Sequence, residues 1–273
     1  MKNVELLIID PQNDFCDPNG NLYVVGADQD MVRLANFIKQ NILRIADIHV
    51  TLDQHHNLDV AHPWFWVNRE GQHPTPFTLI SVDDVKKGIW KPFNPKQEDK
   101  IYGTLQERMI HYVTQLKNNN RYDLIIWPPH CLIGHSGANV YPVLMDVFDE
   151  METTRKGFVD FVTKGSNIYT EHYSGVKADV PDPQDPTTEL NAPLIETLNR
   201  ADEILISGEA LSHCVKFTVT DIADQFSDDA IKKLVLLRDT CSSVTGFEQM
   251  GEDFVKELHA RGMRVSTTQT YVF

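Results

Sequence analysis

Cys214 is one of four cysteines in the chain and stands where a nucleophile could form. It follows the apolar run EILIS at residues 203–207 and begins a segment with a helical pattern. A thiol at a helix N-terminus feels the positive end of the helix dipole, which favours the thiolate. Backbone N–H groups at the same place could hold an oxyanion. The alternative is a buried structural cysteine, the usual state of a free cysteine.

Two further charged side chains end apolar runs and could assist such a thiol. Asp10 follows the run VELLII at residues 4–9, and Lys164 follows a weaker run at 158–162. The Asp10 carboxylate could act as a general acid or base, and the Lys164 ammonium could stabilise a thiolate or a carboxylate. Each also has a simpler explanation, because Asp10 could cap loop N–H groups and Lys164 could be a solvated surface lysine.

Asp53 and His55 form a D-x-H pair directly after the apolar run at residues 47–51. Extended backbone places positions i and i+2 on one side, so both side chains can point at one ion. Carboxylate and imidazole suit Zn, Fe or Mn, but a third ligand must come from elsewhere. We favour His130, because it follows the run at 123–127 and would reach the same sheet edge. Without a third ligand, the pair would be ordinary surface residues. The other candidate ligands are His56, His62, His73 and His111.

Short apolar runs alternate with longer amphipathic segments, which is typical of an α/β fold. We predict a Rossmann-like, doubly wound sheet of about six parallel strands with helices on both faces. In such sheets, ligands bind beyond the carboxyl ends of the strands. Asp10, Asp53, Lys164 and the segment after Gly208 all fall at that edge. Strands are predicted at residues 4–9, 47–51, 123–127, 158–162, 203–207, 233–237 and 264–268.

Residues 56–122 interrupt this alternation with sequences dense in proline and aromatic residues, such as HPWFW at 62–66. We therefore predict a single domain, residues 1–273, carrying an insertion at about 56–122. Long loops in compact domains are often functional, so the insertion could cover the site. The alternative is a surface excursion that packs on its own aromatic side chains.

Composition excludes several classes of function. The 273 residues carry a net charge of −14, and nucleic-acid binding needs clustered Lys and Arg, so nucleic acid is not expected as a partner. No CxxC pair occurs, which favours a reducing compartment. No signal peptide and no long apolar window are apparent, so we expect a cytoplasmic protein without a membrane segment.

Six short motifs resemble, in order, those of the nicotinamidase/isochorismatase-like cysteine hydrolases, and within them the metal-containing nicotinamidase branch. They cover essentially the whole chain except the insertion. Each is weak alone, but six in the right order are specific. The motifs are IIDPQNDF (8–15), TLDQHH (51–56), WPPHCLIGHSGA (127–138), VTKGSN (162–167), SGEALSHCV (207–215) and RDTCSS (238–243).

The resemblance implies a role for each site residue. The catalytic triad would be Asp10, Lys164 and Cys214. The ligands of one divalent ion, with Zn preferred over Fe or Mn, would be Asp53, His55 and His130. The oxyanion hole would be the backbone N–H groups of Ala210 and Cys214, beside a cis peptide at Glu209–Ala210. The walls of an aromatic pocket would be Phe15 with Trp64 or Trp66.

The activity implied is hydrolysis of a small amide to a carboxylic acid and ammonia, with nicotinamide as the first candidate. The resemblance also implies the strand order 3-2-1-4-5-6 and a homo-oligomer. Several residues depart from the family pattern at the pocket or its support. These departures bear on the choice of substrate more than on the type of reaction. They are Leu211 and Ser212 for the usual Thr-Asp, His135 for a Thr, and the charged Glu209.

Other functions fit this sequence less well. The nearest is a related hydrolase with a different small amide as substrate. A non-catalytic scaffold protein is opposed by the intact Asp10, Lys164 and Cys214 set. Isochorismatase needs neither the cysteine nor the D-x-H pair. A dinucleotide-binding oxidoreductase would need a G-x-G-x-x-G motif after the first strand, which this sequence lacks.

Overall fold

A parallel six-stranded sheet forms the centre of the computed structural model, which describes residues 2–119 and 121–273. Across the sheet the order is β6-β5-β4-β1-β2-β3, and every neighbouring pair is parallel. The central strands β1 and β4 are buried at every position, which explains their nearly continuous apolar sequences. The strands are β1 (Val4–Ile9), β2 (Asp47–Asp53), β3 (Asp160–Lys164), β4 (Glu203–Gly208), β5 (Leu234–Leu237) and β6 (Arg264–Ser266).

Helices cover both faces of this sheet. Alternate side chains of β1 enter opposite cores: Leu7 packs with α6, α7 and α9, whereas Leu6 packs with α2 and α5. The predicted α/β class with helices on both faces is therefore confirmed. The helices are α1 (Asn13–Cys16), α2 (Ala27–Gln40), α3 (Val82–Lys86), α4 (Leu105–Asn118), α5 (Pro142–Arg155), α6 (Ala192–Arg200), α7 (Lys216–Gln225), α8 (Asp228–Ile231) and α9 (Glu248–Arg261). Within the described residues, none of these helices has the length and apolar character needed to span a membrane.

The predicted strand at residues 123–127 lies outside the main sheet, so the set of strands differs from the prediction. Leu124–Ile125 instead pairs antiparallel with Leu79–Ile80. The reason is local packing, because Leu124 is buried in a third apolar cluster formed largely by residues of the insertion. The other short pairs are Trp66–Val67 with Lys91–Pro92, and Glu98–Asp99 with Gly103–Thr104.

Candidate active site

Three strand ends and one turn bring the predicted triad together. Asp10 directly follows β1, and Lys164 is the last residue of β3. Asp53, the last residue of β2, pairs in register with Lys164. Cys214 lies in a π-helical turn, Leu211–Val215, which leads into α7. All four side chains therefore meet at the carboxyl edge of the sheet, where α/β folds bind ligands.

The Lys164 ammonium is the centre of this group. Its Nζ atom lies 3.0 Å from Oδ2 of Asp10, 3.2 Å from Oδ1 of Asp53 and 3.9 Å from the Cys214 sulfur. It also donates a hydrogen bond of 2.8 Å to the carbonyl oxygen of His172. All of these side chains are buried. One cation thus faces two carboxylates and a thiol in surroundings that screen charge poorly.

Burial and this cation act in opposite directions on the acidic groups. Burial raises the pKa of the Asp10 carboxyl, and the nearby Lys164 opposes that rise. Burial likewise raises the pKa of the Cys214 thiol well above its usual value, again opposed by Lys164. Oδ1 of Asp10 accepts a 2.6 Å hydrogen bond from the Thr51 hydroxyl, and a carboxylate oxygen of Asp10 lies within 4.8 Å of the Cys214 sulfur. The carboxylate is therefore a close neighbour of the thiol, within reach of its proton.

Asp53, His55 and His130 form a second buried group beside the triad. Nε2 of His55 lies 3.0 Å, and Nε2 of His130 lies 3.8 Å, from Oδ2 of Asp53. One ligand atom from each residue lies within 4.8 Å of the others. The Nε2 atom of His55 is buried without a hydrogen-bond partner among residues 2–119 and 121–273. Its close approach to Asp53 without a hydrogen bond is expected of two ligands converging on one ion.

The surroundings of the two histidines fit a divalent metal ion. Nδ1 of His55 lies 3.2 Å from Oδ2 of Asp59, and Nδ1 of His130 lies 2.9 Å from the carbonyl oxygen of Pro128. In the tautomer that donates through Nδ1 to these oxygens, each Nε2 lone pair is available to a metal. Two imidazoles and a carboxylate suit Zn, Fe or Mn.

Among the other candidate histidines, only His62 packs against this group. Its Nε2 atom lies 3.4 Å from Nδ1 of His130, on the side away from Asp53. His73 and His111 instead contact aromatic residues of the insertion, Trp64 and Tyr102. His130 is therefore the histidine that the structure brings to the D-x-H pair.

A small cavity opens beside the Cys214 sulfur and also reaches Asp53 and His130. Ala210, the predicted oxyanion residue, lines it too, and the predicted cis peptide is present at Glu209–Ala210. An aromatic amide entering this cavity would contact the thiol and the metal-binding group together. The aromatic side chains of its wall are Phe15, Trp127, Tyr173 and His213.

Phe15 lines the cavity as predicted, but Trp64 and Trp66 do not. Trp64 is half exposed and packs on His73, with ring centroids 4.7 Å apart. Trp66 is fully buried in the insertion, where its Nε1 donates a 2.7 Å hydrogen bond to the carbonyl oxygen of Val60. The assignment of these two tryptophans to the pocket is wrong, because the insertion packs its own aromatic residues inward or leaves them at its surface.

Trp127, Tyr173 and His213 provide the aromatic wall instead, and sequence reasoning did not assign them to it. The indole N–H of Trp127 donates a 2.6 Å hydrogen bond to the Tyr173 hydroxyl. The His213 ring packs edge-on against both, at centroid distances of 5.2 and 5.4 Å. A signal was present, since Trp127 opens the WPPH motif and His213 precedes Cys214 in the chain.

Comparison with known proteins identifies the fold. No protein-family model and no curated protein sequence matches the chain. Among solved structures, the yeast nicotinamidase bound to the inhibitor nicotinaldehyde matches with a TM-score of 0.65 and 19% identity, over 97% of this chain and 99% of that one. The Acinetobacter baumanii nicotinamidase/pyrazinamidase gives 0.61 and 19%, over 98% of both chains. The Pyrococcus horikoshii pyrazinamidase in complex with zinc gives 0.54 and 18%, over 97% and 99%. The sheet, its helices and its full-length alignment with these structures give this chain the fold of the nicotinamidases and pyrazinamidases.

Proposed function

We propose that the protein is a metal-containing cysteine amidohydrolase that converts nicotinamide to nicotinate and ammonia. One observation carries the proposal: a buried lysine lies between a carboxylate and a thiol, beside an Asp-His-His group. The solved structures of similar fold support it, since they are nicotinamidases and pyrazinamidases. Zinc is the proposed metal, because the Pyrococcus horikoshii protein was solved in complex with it.

In the first half of the proposed reaction, Asp10 accepts the proton of the Cys214 thiol, and Lys164 stabilises the resulting thiolate. The sulfur attacks the amide carbonyl carbon, forming a C–S bond while the π pair moves to oxygen. The backbone N–H groups of Ala210 and Cys214 hold that oxyanion. As the C–N bond breaks, Asp10 returns its proton to the leaving nitrogen, which departs as ammonia. A thioester remains on Cys214.

In the second half, Asp10 removes a proton from a water molecule that attacks the thioester carbon. The C–S bond then breaks, its electron pair returns to sulfur and the acid is released. Asp10 gives the proton taken from water to the sulfur, which restores the thiol. Asp53, His55 and His130 would hold the metal ion at the cavity wall, where it supplies a Lewis acid for a heteroatom of the substrate. Phe15 and Trp127 would pack on an aromatic ring.

Ammonia release from a panel of small amides tests the proposal. The panel contains nicotinamide, pyrazinamide, benzamide and acetamide, each assayed after loading the protein with zinc, iron or manganese. We expect turnover of nicotinamide above the other amides. Turnover of a different amide alone would replace the substrate and keep the reaction. Inactivity on every amide with every metal would overturn the proposal in favour of a non-catalytic scaffold.

Replacing His130 with alanine is expected to lower the bound metal by about tenfold or more at limiting metal concentration, because a ligand is lost. Elemental analysis of the purified protein measures this directly. His111→Ala is the matched control, since His111 packs on Tyr102 in the insertion. Unchanged metal content in the His130 variant would mean that another histidine is the third ligand.

We also propose that residues 1–273 form one domain in which 56–122 is an insertion. The apolar cluster of the insertion supports this, because it includes Leu124 and Val180 from outside that range. A homo-oligomer is proposed from the resemblance, and a cytoplasmic location from the separated cysteines, which favour a reducing compartment. Light scattering of the purified protein measures its oligomeric state.

A further inference from the structure

Glu209 is a fully buried carboxyl group directly before Ala210, the proposed oxyanion residue. One of its oxygens, Oε2, accepts a hydrogen bond of 3.1 Å from the backbone N–H of Ser242. The other, Oε1, is buried and has no conventional donor within the described chain. The Asp30 carboxyl group on α2 lies near it, since Ser242 hydrogen-bonds to both side chains. The Glu209 side chain is thus directed into the protein and does not line the cavity.

Ser242 holds the chain on both sides of Ala210. Its N–H donates to the Glu209 side chain, and its carbonyl oxygen accepts a 2.7 Å hydrogen bond from the N–H of Leu211. Its hydroxyl donates a third hydrogen bond, 2.5 Å long, to Asp30. The residues before and after Ala210 are therefore bound to one and the same residue, which limits rotation of the peptide units between them.

Ser242 and the two side chains bonded to it, Glu209 and Asp30, form a clamp beside Ala210. Helix α2 anchors this clamp to the rest of the protein. Asp30 forms an ion pair with Arg33, whose Nε atom donates a 2.6 Å hydrogen bond to the carbonyl oxygen of Asp239. The clamp therefore connects the segment after β4, the segment after β5 and a long helix. These contacts lie outside the cavity, so they can fix the direction of the Ala210 N–H without touching substrate.

Burial raises the pKa of the Glu209 carboxyl well above its usual value, and the neighbouring Asp30 adds to the rise. The Asp30 carboxyl group accepts hydrogen bonds from Ser242 and Arg33. The Ser242 N–H requires only an acceptor oxygen from the side chain at position 209, so a glutamine side chain reproduces that hydrogen bond without a titratable group.

We propose that Glu209 is a positioning residue that orients the Ala210 N–H toward the oxyanion, acting through Ser242 and Asp30. The proposal rests on the proposed function, because it requires a tetrahedral oxyanion next to Cys214. Glu209 touches neither substrate nor the reacting atoms. Through Ala210 it stabilises the tetrahedral oxyanion, and it does not change the binding of the intact amide.

An aldehyde inhibitor and a carboxylate product separate these two states. With nicotinaldehyde, the Cys214 sulfur bonds to the aldehyde carbon while the C=O π pair moves to oxygen, which gives a tetrahedral oxyanion. Nicotinate binds without forming one. Inhibition constants for both compounds, with kcat and KM for nicotinamide, are measured for wild type, Glu209→Met and Glu209→Gln. Methionine keeps the length of the side chain and removes the oxygen that accepts from the Ser242 N–H.

For Glu209→Met we expect kcat to fall and nicotinaldehyde to bind more weakly, each by about tenfold or more. Losing an oxyanion donor outright costs about 10²–10³ in kcat. KM and nicotinate inhibition should stay within about threefold, and Glu209→Gln should restore kcat and aldehyde binding. Glu203→Met is the matched control, because Glu203 is a buried glutamate at the opposite end of the same strand. It is expected to reduce stability without changing the ratio of aldehyde to nicotinate affinity.

If folded Glu209→Met binds nicotinaldehyde as tightly as wild type does, and nicotinate too, the positioning role is overturned. The proposed hydrolase activity would not be affected by that result. A Glu209→Gln variant as impaired as Glu209→Met would overturn it too. A wild-type protein that neither hydrolyses nicotinamide nor binds nicotinaldehyde would instead refute the proposed function, and the inference with it. If Glu209→Met does not fold, Glu209→Asp replaces it, because the shorter side chain withdraws the oxygen that accepts from the Ser242 N–H. We expect weaker aldehyde binding with unchanged nicotinate binding, and wild-type aldehyde binding in folded Glu209→Asp would overturn the positioning role.

Discussion

Replacing Cys214 with alanine is expected to abolish ammonia release from nicotinamide while the protein stays folded. The sulfur is the only protein atom in the proposed reaction that bonds to the carbonyl carbon, so the thioester cannot form without it. Loss of a catalytic nucleophile costs about 10⁶ in kcat in a well-studied hydrolase, which is below the detection limit of most ammonia assays. The measurement is a coupled ammonia assay beside a thermal or urea unfolding curve.

Cys16→Ala is the matched control for this prediction. Cys16 is as deeply buried as Cys214, and within the described residues it does not line the cavity at the triad. Both variants lose one buried sulfur, so both should be destabilised to a similar, small extent. Only the Cys214 variant should lose activity. Turnover by Cys214→Ala above the background of the assay would remove Cys214 from the role of nucleophile.

The sequence predicted the fold class because the central strands are short apolar runs, and several strands end at or next to a charged residue. Strands β1 and β2 end at or next to aspartates, Asp10 and Asp53, and β3 ends at Lys164. Parallel strands align their carboxyl ends, so the edge shared by these residues could be inferred before any distance was known. Motif order then suggested which side chains belong together.

The aromatic wall of the cavity and the position of the 123–127 strand could not be derived from apolar and aromatic patterns alone. A short buried run shows that its residues are apolar, but it does not show which sheet they join. Leu124 therefore looked like part of the main sheet, although it pairs with the insertion. Trp66 and Trp127 likewise cannot be told apart by residue type. Only packing separates them, since one fills the insertion and the other faces Cys214.

Replacing Lys164 with methionine is expected to abolish activity and also to destabilise the protein. The ammonium lies within 3.2 Å of both Asp10 and Asp53, and all three side chains are buried. Methionine fills the space but leaves two carboxylates without their cation. Removing one partner of a buried ion pair costs about 3–5 kcal/mol. Urea unfolding of the metal-free protein measures this loss, because a metal ion at Asp53 would partly compensate for it.

A double variant shows whether charge or packing causes the loss. The double variant Lys164→Met, Asp10→Asn lacks one of the two unpaired carboxylates. Its loss of unfolding free energy should therefore be smaller than the sum of the losses of the two single variants. Additive losses would mean that packing, and not charge pairing, is responsible. Lys232→Met is the control, because Lys232 pairs with Asp229 at the surface, where solvent screens the charges. Its unfolding curve should match that of wild type. Activity should stay absent in the double variant even where stability returns, because Asp10 and Lys164 are both required to move the proton of Cys214.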